Sequence, residues 1–194
     1  MSIHTFGDSH SYSGWRQIPN IQIHHLGPKL CYSIGRDGIN ITDGYNVNNG
    51  DTVIFCFGEI DCRCHIHKYI TESNDYKSII NTIIHNYFIK IKKAVDSFDN
   101  LKTFIYNIVP PIEKYNTPEN PEYPYLGTDE ERKAYVLYFN EKLQHKCIEY
   151  NFGFFNIYNN YTDSNGFLNK SLSDGNVHIH DETYLRQFIE NNNL

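Results

Sequence analysis

Short apolar segments alternate with longer segments of helical periodicity along this chain. Residues 75–98 carry isoleucine, tyrosine, phenylalanine and valine at intervals of three and four, which predicts an amphipathic helix. Thr128 followed by Glu131 forms a capping box and predicts a second helix through about Tyr150. A final helix is predicted from near Asp181 to the end. Strands are predicted over the apolar segments 2–6, 21–26, 52–57, 101–109 and 152–158.

The order of these elements predicts the fold class. The segment 52–57 is almost continuously apolar, which is typical of a strand buried on both faces. Strands that alternate with helices indicate parallel βαβ units with right-handed crossovers. We therefore expect an α/β protein built as a three-layer α/β/α sandwich, with one domain over residues 1–194. Residues 35–51, rich in Gly, Asn and Asp, are predicted to be irregular.

The segment 112–127 follows neither a helical nor a strand periodicity and is predicted to be a surface loop. It contains Pro118, Pro121 and Pro124, none of which suits the interior of a helix or strand. It also comes after the carboxyl end of a strand, where ligand sites gather in open α/β sheets. We expect either a plain connector or a lid over that edge.

Composition narrows the classes of partner and compartment. The chain has 194 residues, of which 40% are apolar and 21% charged, and its net charge is -6. This balance is typical of a globular protein and provides no basic surface for nucleic acid or an anionic membrane. The sequence has neither the pattern of a signal peptide nor a run that predicts a membrane span. An odd number of cysteines, five, without paired spacing favours a reducing compartment, and we expect a cytoplasmic protein.

Three polar stretches follow predicted strands or precede the last helix. They are residues 7–10 (Gly-Asp-Ser-His), 58–63 and 174–178. A serine becomes a nucleophile when a base lies within hydrogen-bond reach and an acid orients that base. Asp174 and His178 are close in sequence, so one loop can bring both beside Ser9. The sequence therefore predicts a Ser-His-Asp triad that needs only one long-range contact.

These three blocks, in this order, resemble the SGNH (GDSL-type) hydrolases and acyltransferases. The resemblance spans nearly the whole chain and implies a flavodoxin-like, five-stranded parallel sheet. It also implies that Ser9 is the nucleophile, His178 the base and Asp174 the orienting acid. The oxyanion hole of the family would combine the Ser9 N–H with a second-block glycine, for which Gly27 is the first choice and Gly35 the reserve.

The stretch 58–63 corresponds to the third block of the family. It departs from the family, because Ile60 stands where an asparagine donor is usual. The Gly58-Glu59-x-Asp61 pattern is similar to the corresponding block of carbohydrate O-acetyl esterases, so these residues and Arg63 are candidates for oxyanion or substrate binding. The Arg63 guanidinium is the obvious replacement donor. The alternative is that Arg63 and Glu59 form a buried ion pair that shapes the loop.

The stretch 174–178 also departs from the family, because one extra residue separates Asp174 from His178. Asp181 is therefore an alternative acid and His180 an alternative base. Asp8 is expected to accept backbone N–H bonds in its turn.

Two groups of residues suggest metal binding. The cluster Cys62, Cys64, His65 and His67 lacks the paired, separated ligands that zinc sites require, so these are expected to be half-buried loop residues. A metal-dependent phosphoesterase would also use Asp-x-His and His-x-His stretches, and the chain offers residues 8–10 and 178–180. It lacks the Asn-His dipeptide of such centres, so we predict no metal.

We predict an enzyme that cleaves or transfers a small acyl group, with acetyl favoured, on a carbohydrate ester through an acyl-enzyme at Ser9. No cofactor is expected, and the partner is a small-molecule or glycan ester. The alternatives are the metal-dependent phosphoesterase and a catalytically silent carbohydrate-binding module on the same fold.

Overall fold

A five-stranded parallel sheet organises the computed structural model, which describes residues 1–116 and 120–194. The strand order is β2-β1-β3-β4-β5, with every neighbouring pair parallel. The strands are β1 Ile3–Gly7, β2 Ile21–His25, β3 Thr52–Cys56, β4 Lys102–Tyr106 and β5 Gly153–Phe155. This order is that of flavodoxin-like sheets, so the predicted α/β fold class is confirmed.

The last two strands are shorter than predicted. After β4 the chain leaves the ladder at Asn107, whose side-chain Oδ1 accepts the N–H of Ile157 at 2.8 Å. Its own amide group donates to the carbonyl of Ile108 at 2.8 Å. The Asn107 side chain thus takes the place of ladder partners, and apolar residues beyond it pack at the end of the sheet without being strands.

The helices are α1 Cys31–Asp37, α2 Tyr76–Val95, α3 Asp129–Tyr150 and α4 Thr183–Asn191. The predicted helices over 75–98, from Thr128 and from near Asp181 are all present, and the Thr128–Glu131 capping box is formed. Helix α1 was not predicted. It has only seven residues, too few to show a clear apolar period.

Alternate residues of β3 face two separate apolar cores. Val53 and Phe55 pack with α1, α2 and α3 on one face. Ile54 and Cys56 pack on the other face with Trp15 and helix α4. Helices on both faces of the sheet make the predicted three-layer sandwich, and both cores exclude water from the sheet.

The direction of the chain connections reverses at β1, which has β2 on one side and β3 on the other. Open α/β sheets form their ligand crevices at such a point, beyond the carboxyl ends of the strands. Ser9 lies there, two residues after the end of β1. Of the predicted proline-rich loop, Pro118 lies outside the described residues, and residues 120–127 run back over this edge. Within the described part of the chain, no helix is long and apolar enough to span a membrane.

Candidate active site

Ser9, His178 and Asp174 form a continuous hydrogen-bonded chain. The Ser9 Oγ lies 2.8 Å from His178 Nε2, and His178 Nδ1 lies 2.8 Å from Asp174 Oδ2. Because the carboxylate can only accept, Nδ1–H donates to Asp174 and Nε2 is free to accept the Ser9 proton. This is the geometry that converts a serine into a nucleophile.

The loop that carries Asp174 and His178 closes on itself. The N–H of Asp174 donates to the His178 carbonyl at 3.1 Å, and Asp174 Oδ1 accepts the N–H of Asn176 at 2.9 Å. Gly175 takes a φ of 83°, a conformation that glycine adopts without the steric cost of a Cβ. A tight turn therefore accommodates the extra residue between the two triad members.

The alternative acid and base do not enter this chain. Asp181 Oδ1 accepts the N–H of Thr183 at 2.9 Å, at the start of α4. The side chain of His180 is exposed. Of the two candidate pairs, the structure thus brings Asp174 and His178 to Ser9.

Electrostatics keep His178 in the form that can accept a proton. Burial and the positive charge of His10 lower the pKa of His178, against the opposing effect of Asp174. Burial alone would raise the pKa of Asp174, but its hydrogen bond to His178 and the charge of that ring lower it instead. A neutral imidazole beside an ionised carboxylate is the resting state that general-base catalysis needs.

Asp61 has a different role from the predicted contact with substrate or oxyanion. It is fully buried, and its carboxylate accepts the N–H groups of Cys31 at 2.7 Å and Tyr32 at 3.1 Å. These are the first two residues of α1, whose N–H groups have no partner within the helix. Burial raises the pKa of Asp61 to about 7, although both N–H bonds oppose the shift. Asp61 caps a helix from a distance.

Arg63 is held by Glu59 and by the loop opposite. Its Nε lies 2.9 and 3.2 Å from the two carboxylate oxygens of Glu59, and Nη1 donates to the Tyr123 carbonyl at 2.9 Å. Burial alone would lower the pKa of Arg63, but the charge of Glu59 raises it. This geometry matches the alternative interpretation of an ion pair that shapes the loop. Arg63 nevertheless lines the same cavity as Ser9 and Ile60.

The two candidate oxyanion glycines, Gly27 and Gly35, lie in different parts of the structure. Gly27 lies between His25 and Pro28, which both line the cavity at Ser9. Gly35, the reserve choice, is instead inside α1, where a Cβ would lie 3.1 Å from the Tyr87 nitrogen of α2. Gly35 is a packing residue and not part of the site.

Gly58, also predicted to bind substrate or oxyanion, is explained by packing as well. A Cβ there would lie 2.7 Å from the Ile108 side chain. Glu59 is nearly buried and engaged with Arg63. Of the third block, Ile60 and Arg63 face the cavity.

The cavity at Ser9 has a volume of about 340 Å³ and is open to solvent. Residues 120–125 form one wall. They belong to the segment 112–127, for which the sequence predicted either a connector or a lid over this edge but no individual site residue. Its lining residues are Asp8, Ser9, His25, Pro28, Ile60, Arg63, Asn120, Glu122, Tyr123, Tyr125, Asn176, Val177 and His178. A larger cavity of about 410 Å³ beside α1 and α2 contains no triad residue.

The cysteine and histidine cluster after β3 is spread over different surroundings. Cys62 packs in the apolar core, and the thiol of Cys64 donates to the Ile60 carbonyl at 3.4 Å. The His65 ring lies against two tyrosines, and His67 hydrogen-bonds with Tyr135 at 3.0 Å. Both thiols are buried rather than half-buried as predicted. Among residues 1–116 and 120–194, no three His, Cys, Asp or Glu side chains are grouped as metal ligands.

Comparison with known proteins shows similarity in structure rather than in sequence. The sequence matches no family model and no curated protein. A Streptococcus pneumonia protein provisionally described as a platelet activating factor superposes with a TM-score of 0.71 at 16% identity, covering 98% of this chain and 83% of that one. A GDSL-like lipase from Bacteroides thetaiotaomicron gives 0.64 at 12% identity, covering 98% and 86%.

An acetyl xylan esterase is similar over the full length of both chains, with a TM-score of 0.59, 15% identity and 100% coverage of each. At identities this low, the superpositions show a shared fold alone. The resemblance that the three sequence blocks predicted is therefore confirmed at the level of architecture: this chain has the fold of the SGNH (GDSL-type) hydrolases.

Proposed function

We propose that this protein is a serine-dependent ester hydrolase or acyltransferase that acts through a covalent acyl-enzyme. The observation that supports it is the hydrogen-bonded chain from Asp174 through His178 to Ser9, at the edge of an open cavity. In a site of this geometry an imidazole can take up the serine proton as the Oγ–carbon bond forms.

The reaction proceeds in two halves. His178 Nε2 accepts the Ser9 proton while Oγ attacks the ester carbonyl, and the carbonyl electrons move to the oxygen. Backbone N–H groups of Ser9 and Gly27 are the proposed donors to that oxyanion. The tetrahedral intermediate collapses, the C–O bond to the alcohol breaks, and His178 returns the proton to the leaving oxygen. Water or a sugar hydroxyl then attacks the acyl-enzyme by the same route.

A small acyl group, with acetyl favoured, on a carbohydrate is the proposed substrate. The cavity of about 340 Å³ is lined by hydrogen-bonding side chains, among them Asn120, Glu122 and Asn176, which suit hydroxyl-rich groups. One protein of similar fold is named an acetyl xylan esterase. Turnover of a panel of acetylated sugars, set against long-chain acyl esters, tests this part of the proposal.

Covalent reactivity of Ser9 is the first prediction. A fluorophosphonate probe should label Ser9, as located by mass spectrometry, because among the described residues Ser9 is the serine whose Oγ lies 2.8 Å from an imidazole nitrogen. Ser9→Ala should fold normally and lose about 10⁴-fold or more in kcat/KM. Ser13→Ala, in the same segment, is the matched control and should label and turn over like the parent. Labelling at another residue with turnover intact would contradict the proposal.

Chelation separates serine chemistry from the metal-dependent alternative. Because the triad needs no metal, exhaustive EDTA treatment should leave both probe labelling and ester turnover unchanged. A phosphodiesterase activity that EDTA abolishes and a divalent ion restores would favour the alternative instead.

A further inference from the structure

A second histidine lies directly beneath the triad. His10 follows Ser9 in sequence and is buried, with 6% of its surface exposed. Its ring centroid lies 5.0 Å from that of His178. Its Nδ1 lies 3.0 Å from Asp8 Oδ1, and its Nε2 lies 3.2 Å from the Val177 carbonyl oxygen. Val177 is the residue before His178. His10 therefore joins the serine turn to the histidine loop.

The partners of His10 determine its protonation. A carboxylate and a backbone carbonyl are both acceptors, so both ring nitrogens must carry hydrogen to form both bonds. A neutral ring would leave one nitrogen lone pair facing an oxygen at about 3 Å. Burial alone would lower the pKa of His10, but Asp8, Glu59 and the Val177 carbonyl together raise it. The geometry is that of an imidazolium.

Asp8 is the counterion. It is completely buried, and Asp8 Oδ1 also accepts the backbone N–H of His10 at 2.8 Å. Within the described part of the chain, Oδ2 of Asp8 has no hydrogen-bond partner. A buried carboxylate with few donors is costly unless it is paired with a charge. The Asp8 carboxylate thus stabilises the protonated form of His10.

The charged groups around His178 show what this cation does. His10 faces it from the serine turn, Asp174 from its own loop, and Glu59 from the loop after β3. Asp174 and Glu59 favour protonation of His178, and His10 opposes it. Burial and the charge at His10 lower the pKa of His178 against these two carboxylates, so loss of the cation at His10 would raise that pKa.

We propose that His10 is a positioning residue that acts as a permanent imidazolium, clamping the Val177 carbonyl so that His178 faces Ser9 and keeping His178 an unprotonated base. This inference rests on the proposed serine mechanism for its catalytic consequence. Its structural half, the doubly protonated ring, stands independently of any activity.

Two substitutions separate the clamp from the charge. The amide of a glutamine reaches about as far as the distal nitrogen of histidine, so His10→Gln keeps a donor for Val177 and removes the charge. Its plateau kcat should stay close to that of the parent, while the acid limb of the kcat/KM profile should move up by about one pH unit. His10→Asn keeps a donor for Asp8 and removes the clamp, and its kcat should fall about 10- to 100-fold at every pH.

His145→Gln, on the exposed side of α3, is the matched control and should show the parent profile. The same profiles can be recorded as rates of fluorophosphonate labelling. An acid limb that stays in place in folded His10→Gln would overturn the charge role, and an unchanged kcat in folded His10→Asn would overturn the clamp.

A measurement on the unaltered protein keeps the inference testable if the variants do not fold. In nitrogen NMR of histidine-labelled protein, one ring should still show the imidazolium signature at a pH above the ordinary histidine pKa of about 6.5. This signal is assigned to His10 if it disappears in His10→Gln, or if it changes when Ser9 is labelled. A neutral His10 at that pH would defeat the proposal while Ser9 labelling remained. Absent Ser9 labelling with an imidazolium at His10 would instead defeat the proposed function.

Discussion

At the scale of single residues, Arg63 connects the third block to the cavity wall. Its guanidinium pairs with Glu59 and donates to the Tyr123 carbonyl, while its own carbonyl accepts the Leu126 N–H at 3.0 Å. The guanidinium also lies 5.5 Å from the Tyr125 ring centre, a cation–π distance. Three of these contacts, with Tyr123, Tyr125 and Leu126, hold residues 123–126 beside the site.

We predict that Arg63→Ala acts mainly through this wall. The free energy of unfolding should fall by about 2 kcal/mol, because the Glu59 carboxylate and the Tyr123 carbonyl lose their charged donor. KM should rise more than kcat falls, since the role proposed for this wall is to bind the substrate and not the developing charge. Denaturant unfolding and steady-state kinetics measure both.

Glu59→Ala provides the comparison for Arg63→Ala. If the ion pair is the role of Arg63, the two variants should behave alike and the double variant should be no worse than either. A lower kcat with unchanged KM and stability in Arg63→Ala alone would point instead to a bond with the oxyanion.

At the scale of elements, a single π turn, Asp61–His65, joins the site to α1. It supplies Arg63 to the cavity and Asp61 to the amino end of α1. The residue just before α1 is Leu30, whose side chain cannot act as an acidic cap. The position of α1, and of the cavity rim that precedes it, therefore depends on this turn.

Asp61→Ala is predicted to lower the free energy of unfolding by about 2 kcal/mol, because it leaves two helix N–H groups unsatisfied in a buried site. Hydrogen exchange should rise first at the amides of Cys31 and Tyr32. Glu72→Ala, an exposed acidic position, is the control and should change neither. Unchanged exchange at α1 in Asp61→Ala would show that the helix end is satisfied in another way.

At the scale of the whole molecule, one cavity is assembled from five distant segments, among them His25 and Pro28 after β2. The turn after β1 brings Ser9, the turn after β3 brings Arg63, and the loop before α4 brings His178. Residues 120–125 close the remaining side. Each segment leaves or approaches the same edge of the parallel sheet, which explains why residues far apart in sequence meet there.

Acid stability of the whole fold is predicted to depend on a histidine pair at the β1–β2 edge. His4 hydrogen-bonds with Asp51 at 3.3 Å and with His24 at 3.0 Å. Burial and the neighbouring His4 lower the pKa of His24 to about 4. The unfolded ring, with an ordinary pKa of about 6.5, takes up a proton first as pH falls. The His24 contribution is therefore complete above about pH 6.5 and is lost progressively towards pH 4.

His24→Gln should remove this part of the pH dependence of unfolding, measured by denaturant titration across that range. The Asp61 carboxyl, with its raised pKa, titrates in the opposite sense but is common to both proteins, so it cancels in the difference. His85→Gln, exposed on α2, should keep the parent dependence. An identical acid slope in His24→Gln and the parent would refute the assignment.

The sequence by itself determined the features that depend on local pattern. Apolar segments placed the strands, and apolar residues at intervals of three and four placed α2, because such patterns require only neighbouring residues. The Thr128 capping box is equally local, since both its hydrogen bonds lie within three residues. Ser9, Asp174 and His178 could be singled out because a strand end and one short loop are sufficient to present them.

Only the tertiary structure decided what depends on partners distant in sequence. The sequence predicts Asp61 to be a binding residue, because its actual partner, the amino end of α1, lies 30 residues earlier in the chain. His10 could not be assigned a role because its clamp, Val177, is 167 residues away. A side chain's chemistry is set by the groups that fold against it, and for these residues no local pattern identifies those groups.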